Sequence, residues 1–235
     1  MKPRIGLTTR YETVDGRERI NLLPAYADAV VAGGGTPLLL PPPGDDAGVE
    51  ALLDACDGLL ATGGGDLDPA LWGEARHPKT KMIHPRRQRS DLGLIALADK
   101  RRMPVLGICL GCQEIAVSRG GSLIQHAADE PGATIEHSRP TDMRSTHPVT
   151  IEPDSLLARV VGREPLDANT SHHQAIREPG RGMRIVARSA DGIVEAIEAE
   201  EDGRFLLAVQ WHPEYFCDKP RHLALFEALC RAAAS

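Results

Sequence analysis

Aromatic residues are scarce in this chain, only 3% of 235 residues, so aliphatic side chains and alanine must fill most of its core. No apolar run is long enough to span a bilayer, and no apolar signal segment follows Met1-Lys2-Pro3-Arg4. A cytoplasmic location is the expectation. Cysteines number five, an odd count that suits reduced thiols better than a disulfide framework. Basic excess is absent as well: 27 Lys and Arg stand against 33 Asp and Glu, a formal net charge of -6. Phosphate binding needs concentrated positive charge, so nucleic acid is not an expected partner. The local run Arg86, Arg87, Arg89 reads as a solvated helix start. Internal repeats and linker-like stretches are also missing, and the length suits one domain over residues 1–235.

What is present is an alternation of short apolar runs and helical spacing. Strands are expected at Arg4–Thr9, Thr36–Leu40, Gly58–Ala61 and Pro104–Ile108. Helices are expected at Leu22–Ala32, Val49–Ala55, Arg86–Lys100 and Leu110–Arg119. Gly33-Gly34-Gly35 and Gly120-Gly121 are stop signals for two of them. Residues from Asp68 to Pro85 read as an irregular excursion. This order predicts an α/β fold with a mostly parallel central sheet and helices on both faces. After Ser122 the pattern shifts to strands, at Pro148–Ile151, Leu166–Asn169, Arg184–Ser189, Ile193–Ala199 and Phe205–Gln210, before a last helix at Arg221–Ala233. Glu201-Asp202-Gly203 between alternating runs predicts an antiparallel hairpin there.

Two segments carry chemistry. In Gly107-Ile108-Cys109-Leu110-Gly111 a cysteine sits on a glycine-flanked turn from strand to helix. Such a turn strains the central residue and lifts its side chain out at the carboxyl end of the sheet, where ligands bind in such folds. The helix N-terminus that follows favours a thiolate and offers N–H groups to an oxyanion. A buried cysteine at a tight turn is the plain alternative. Far downstream, Gln210-Trp211-His212-Pro213-Glu214 supplies a histidine and a carboxylate two residues apart, as a base and its orienting acid. Cys109 and Cys112 also form a Cys-x-x-Cys pair. No second pair completes a zinc site, but a reversible Cys109–Cys112 disulfide stays open.

These residues resemble the class I glutamine amidotransferase-like superfamily with its Cys-His-Glu triad. Further segments resemble its gamma-glutamyl-gamma-aminobutyrate hydrolase branch, known also as peptidase C26-like: Thr62-Gly63-Gly64-Gly65-Asp66 with Pro69, Gly120-Gly121-Ser122-Leu123 with Gln125, Glu136-His137, His147-Pro148-Val149, Asn169-Thr170-Ser171-His172-His173-Gln174, and Asp191 to Glu198. The likeness runs from Ile5 to Glu214. Departures from the branch pattern are Leu110 in place of Arg, Cys112 in place of Met or Leu, Gln88 after Arg87 where Asp is expected, and Thr170 in place of Ser.

The resemblance implies a flavodoxin-like three-layer sandwich. It also implies that Cys109, His212 and Glu214 cleave the gamma-glutamyl amide of a small gamma-glutamyl-amine through a thioester, with no metal or organic cofactor for the reaction. Backbone N–H groups of Leu110 and of Gly64 or Gly65 would hold the oxyanion. Gln113 would reach the glutamyl head group, and Asn169 and His172 would line the pocket. His126 and His173 read as structural or solvent-facing, and Asp66 as ordering its own glycine loop. The rival readings are a glutaminase subunit feeding ammonia to a synthetase partner, a non-catalytic ligand-binding relative, and a gamma-glutamyl hydrolase of a different amine conjugate, such as a peptide or polyamine derivative. A homodimer stays open.

Overall fold

Short buried runs that stop at glycine or proline leave the chain few options beyond strands joined by helical crossovers. The computed structural model describes residues 1–138 and 144–235. Its first half runs β1 (Arg4–Thr8), β2 (Arg10–Val14), β3 (Arg17–Asn21), α1 (Pro24–Ala32), β4 (Thr36–Leu40), α2 (Asp46–Asp54), β5 (Gly58–Ala61), α3 (Pro85–Lys100), β6 (Val105–Ile108), α4 (Leu110–Ser118) and β7 (Ser122–Ile124). Its second half runs β8 (Thr146–Ile151), α5 (Leu156–Val161), β9 (Leu166–Asn169), β10 (Ala175–Glu178), β11 (Met183–Ser189), β12 (Val194–Ala199), β13 (Leu206–Val209) and α6 (Pro220–Ala233).

Among the described residues, eleven strands form one sheet in the order β4-β1-β5-β6-β13-β12-β11-β8-β9, with β10 bridging β12 and β7. The block β4-β1-β5-β6-β13 is parallel throughout. From β12 onward the pairings are antiparallel. The expected hairpin is the β12–β13 pair, with Ala196 opposite Val209.

Side-chain alternation along the parallel strands builds a core on each face. Leu60 and Leu106 pack with Tyr26 and Val30 of α1 and Phe226 and Leu229 of α6. Leu59, Ala61 and Val105 pack with Leu53 of α2, Leu94 and Ile95 of α3 and Ile115 of α4. The chain is therefore an α/β three-layer sandwich, with its antiparallel extension in the second half.

Three parts of the fold were not expected. β2 and β3 pair only with each other, joined by Asp15-Gly16, both at positive φ. That is the two-residue hairpin turn favoured by strand twist. The strands escaped notice because β3 is exposed at every position and shows no apolar alternation. Second, β7, β10 and α5 are too short to show a period. Third, Arg87 is not a solvated helix residue: it is 2% exposed and lies on the buried face of α3 with Asp91, Leu94 and Ile95. No helix among the described residues is long and apolar enough to cross a membrane.

Candidate active site

The adjacent parallel strands β5, β6 and β13 end at one edge of the sheet, and each delivers one part of the site. β6 delivers Cys109, at φ 53 and ψ -105, a region that costs a non-glycine residue about 1–3 kcal/mol. The turn is held by the Cys109 N–H, which donates to Val209 O of β13 at 2.9 Å, and by Gln113 N–H donating to Cys109 O at 3.2 Å. Gly111 makes the turn sterically feasible. A Cβ there would lie 2.2 Å from the Ala61 carbonyl oxygen of β5. Leu110 opens α4, so its N–H has no intrahelical acceptor and points from a helix N-terminus.

β13 delivers His212 and Glu214. His212 Nδ1 donates to Glu214 Oε1 at 2.7 Å, and the imidazole is close enough to the Cys109 side chain to feel its charge. Burial would push the ring down, but Glu214 and then Cys109 outweigh it and hold His212 protonated well above its usual range. Below this pair, the Tyr26 hydroxyl accepts from Gly63 N–H at 3.0 Å and faces Glu214. Asn169, at the end of β9, is fully buried, and its Oδ1 accepts from the His212 backbone N–H at 2.9 Å.

β5 delivers the glycine loop. Arg87 Nη2 donates to Gly63 O at 3.0 Å while its Nε donates to Asp91 Oδ2 at 3.0 Å. Burial raises Asp91 to about 6 even with Arg87 alongside, and burial and then Asp91 raise Glu114. The space around Gly64 is closed: a Cβ would meet Leu110 Cδ2 at 2.5 Å and Arg87 Nη1 at 2.6 Å. The buried guanidinium therefore holds the backbone of this loop from behind.

A cavity of about 240 Å³ opens beside the thiol, lined by Gly64, Gly65, Cys109, Gln113, His172 and His173, among others. Gln113 enters it with both amide hydrogens spent, on Gln174 O and Gln210 Oε1, each at 3.1 Å. His172 lines the same wall, but its Nε2 is turned to Glu195 at 3.7 Å. Asp66 does not order its own loop. Its carboxylate accepts from Lys81 N–H at 2.6 Å and from His173 Nε2 at 2.9 Å, which makes His173 part of the cavity wall. Cys112 packs in the core, and burial drives its thiol well above the usual range. Across Gly64, Gly65 and Lys81 the cavity meets a groove of about 540 Å³, lined by Arg10, Tyr11, Glu12, Thr13 and His84 from the β2–β3 hairpin and the start of α3.

Thus Cys109 and the hydrogen-bonded pair His212–Glu214 meet at one edge of the sheet, with Leu110 next in the chain and Gly64 and Gly65 on the same cavity wall as Cys109. Such a set can generate a sulfur nucleophile, hold an oxyanion and protonate a leaving group. Sequence reasoning passed over Tyr26, Arg10 and the packing of Arg87. Only the Asp15-Gly16 turn could have pointed to the hairpin that carries Arg10. Among the described residues, one group of side chains outside this set, His137, His147 and Glu195, has the spacing of metal ligands.

The Peptidase C26 family model matches residues 3–214. A Mycobacterium tuberculosis protein provisionally named a glutamine amidotransferase is 40% identical, over 99% of this chain and 75% of its own length. The gamma-glutamyl-gamma-aminobutyrate hydrolase of Escherichia coli is 30% identical, over 91% of this chain and 86% of its own. Among solved structures, the glutaminase domain of Trypanosoma brucei CTP synthase superposes with a TM-score of 0.64 at 19% identity, covering 99% of this chain and 94% of that one. The last match concerns the fold alone. The chain belongs to the Peptidase C26 family, among glutamine amidotransferase-like relatives.

Proposed function

We propose that this chain is a cysteine-dependent hydrolase of the gamma-glutamyl amide bond of a small gamma-glutamyl-amine, releasing glutamate through a thioester. The observation that supports the reading is Cys109 beside the His212–Glu214 pair, at the edge of a cavity lined by Gly64 and Gly65. Cys109 attacks the gamma-carbonyl as a thiolate, its proton held on His212. Oxyanion charge develops toward the Leu110 N–H and the glycine loop. One such donor is typically worth about 3 kcal/mol. His212 then protonates the departing amine, with Glu214 fixing the ring and stabilising its charge. Water activated by His212 cleaves the thioester and frees glutamate.

In this reading Gln113, with its amide hydrogens tied down, shapes the floor of the glutamyl pocket. Asn169 acts behind His212 as a positioning residue, and His172 fixes the pocket wall. The leaving amine extends into the adjacent groove, where Lys81, together with Arg10 beside Glu12 at 3.9 Å, favours an amine with an anionic far end. This agrees with the name of the Escherichia coli relative, whose leaving group is gamma-aminobutyrate.

The test is glutamate release from a panel of gamma-glutamyl amines, glutamine included, with wild type and Cys109→Ser. Turnover of amines with an anionic tail well above glutamine, abolished in Cys109→Ser, is expected. The name of the Mycobacterium tuberculosis relative favours a second reading, a glutaminase supplying ammonia to a synthetase. Turnover of glutamine alone, appearing only with a partner, would replace the first reading with that one.

A further inference from the structure

Beside the nucleophile cavity, Glu195 of β12 is 0% exposed, and neither carboxylate oxygen has a hydrogen-bond partner. An isolated buried carboxylate is strongly unfavourable. Its surroundings are three imidazoles. His147 Nε2 lies 3.4 Å from Glu195 Oε1, His137 Nδ1 3.6 Å and His172 Nε2 3.7 Å. The facing nitrogens of His147 and His172 are likewise buried and unbonded.

The other nitrogen of each ring faces an oxygen. His137 Nε2 contacts the Asp191 carboxylate at 3.2 Å, His172 Nδ1 contacts Gln174 O at 3.0 Å, and His147 Nδ1 faces Pro148 O at 3.4 Å. Each of these outer oxygens can take the ring hydrogen when a metal ion holds the inner nitrogen, the arrangement a metal-ligating histidine adopts. Thr170 Oγ1 donates to His137 O at 2.9 Å and so accepts from His137 Nδ1, 3.3 Å away, a hydrogen that metal binding would displace.

Three ring nitrogens therefore converge on one carboxylate oxygen. The separations are too long for N–H···O bonds, which fall at about 2.7–3.2 Å. They are close to the edge of a tetrahedral zinc site, about 3.3–3.4 Å for bonds of about 2.0–2.1 Å. Ligand atoms of His137, His147 and Glu195 all lie within 4.8 Å of one another, and His172 Nε2 joins this group through Glu195, at 3.7 Å.

We propose that His137, His147 and Glu195 hold a divalent first-row metal ion, with His172 drawn in as the fourth ligand of a closed structural site, zinc by its three-imidazole, one-carboxylate donor set. Four protein ligands leave no open position, so the ion takes no part in the reaction and the site stands apart from the proposed chemistry. It joins β8, β12, the segment before β8 and the loop after β9. That loop bears Ser171, His172, His173 and Gln174 on the cavity wall and begins at Asn169, which holds His212. The ion clamps the pocket wall to the sheet.

The test uses the full chain without affinity-tag histidines, stripped with chelator, returned to Zn²⁺, desalted and assayed by elemental mass spectrometry. One zinc per chain is expected, in wild type and in Cys109→Ser alike. In His147→Ala/Glu195→Gln, shown to be folded by circular dichroism, retention should fall to about a tenth or less. Asp191→Asn, which removes the partner of His137, should weaken zinc binding about 10–100-fold. Zinc should raise the wild-type melting temperature and leave that of the double variant unchanged. Should the variants fail to fold, Co²⁺ added to wild type gives a second readout: tetrahedral visible bands without thiolate charge transfer. A folded wild type that retains no zinc overturns the proposal, leaving four side chains that share protons instead. Zinc retained undiminished in the folded double variant, or a cobalt–thiolate band, overturns it too.

Discussion

The Oδ1 of Asn169 accepts the backbone N–H of His212 at 2.9 Å, so a residue at the end of β9 fixes the peptide that carries the proposed base. Both groups are buried, and loss of one partner leaves the other unsatisfied at a cost of about 1–3 kcal/mol. Asn169→Ala should therefore lower kcat more than it raises KM and should lower thermal stability. A variant whose loss lies wholly in KM would instead make Asn169 a substrate contact, the role its sequence context implies.

The raised pKa of His212 gives stability a pH dependence of known sign. A group that holds its proton more tightly when folded contributes its full stabilisation below its unfolded value of about 6.5 and loses it as pH rises through the folded value. Burial opposes the shift, and Glu214 is the first of the groups that cause it. Glu214→Gln should thus lower the melting temperature most near neutral and mildly acidic pH, and the gap to wild type should narrow under alkaline conditions. A gap that stays constant across this range contradicts the assignment.

Arg87 holds the Gly63 carbonyl and balances Asp91 and Glu114 in the core. Removing one member of a buried pair typically costs about 3–5 kcal/mol, whereas replacing both with apolar residues is often neutral. Arg87→Met should be strongly destabilising in urea unfolding, and Arg87→Met/Asp91→Leu should recover much of the loss. Turnover should stay low in both, because the glycine loop has lost its support. A single variant as stable as wild type would contradict this.

Gly111→Ala should not yield a native protein. Its Cβ would lie 2.2 Å from backbone, which no rotamer can relieve. Gly64→Ala meets only side-chain atoms and should fold, with reduced turnover. The two variants differ in soluble yield, and equal yields would mean that the turn is looser than described.

These features were unequally legible in the sequence. The parallel core could be read because β1, β5 and β6 are short buried runs closed by turns, and because α3 and α6 repeat apolar positions at helical spacing. Cys109 showed through its flanking glycines, and His212 through the carboxylate two residues away. Arg87 misled, since a charge run at a helix start is usually solvated and nothing local signals that Asp91 and Gly63 await it. Asp66 misled similarly: its partners Lys81 and His173 lie far off in sequence, and local side-chain-to-backbone bonding was the simpler expectation. The convergence of His137, His147 and His172 on Glu195 was invisible, because only the antiparallel extension brings those four segments together.

The central claim is a gamma-glutamyl thioester on Cys109, and hydroxylamine partitioning tests it most directly. With a turned-over gamma-glutamyl amide and hydroxylamine present, wild type should form gamma-glutamyl hydroxamate at the expense of free glutamate, and Cys109→Ser should form neither. Glutamate release that hydroxylamine does not divert, and that persists in Cys109→Ser, would contradict the account.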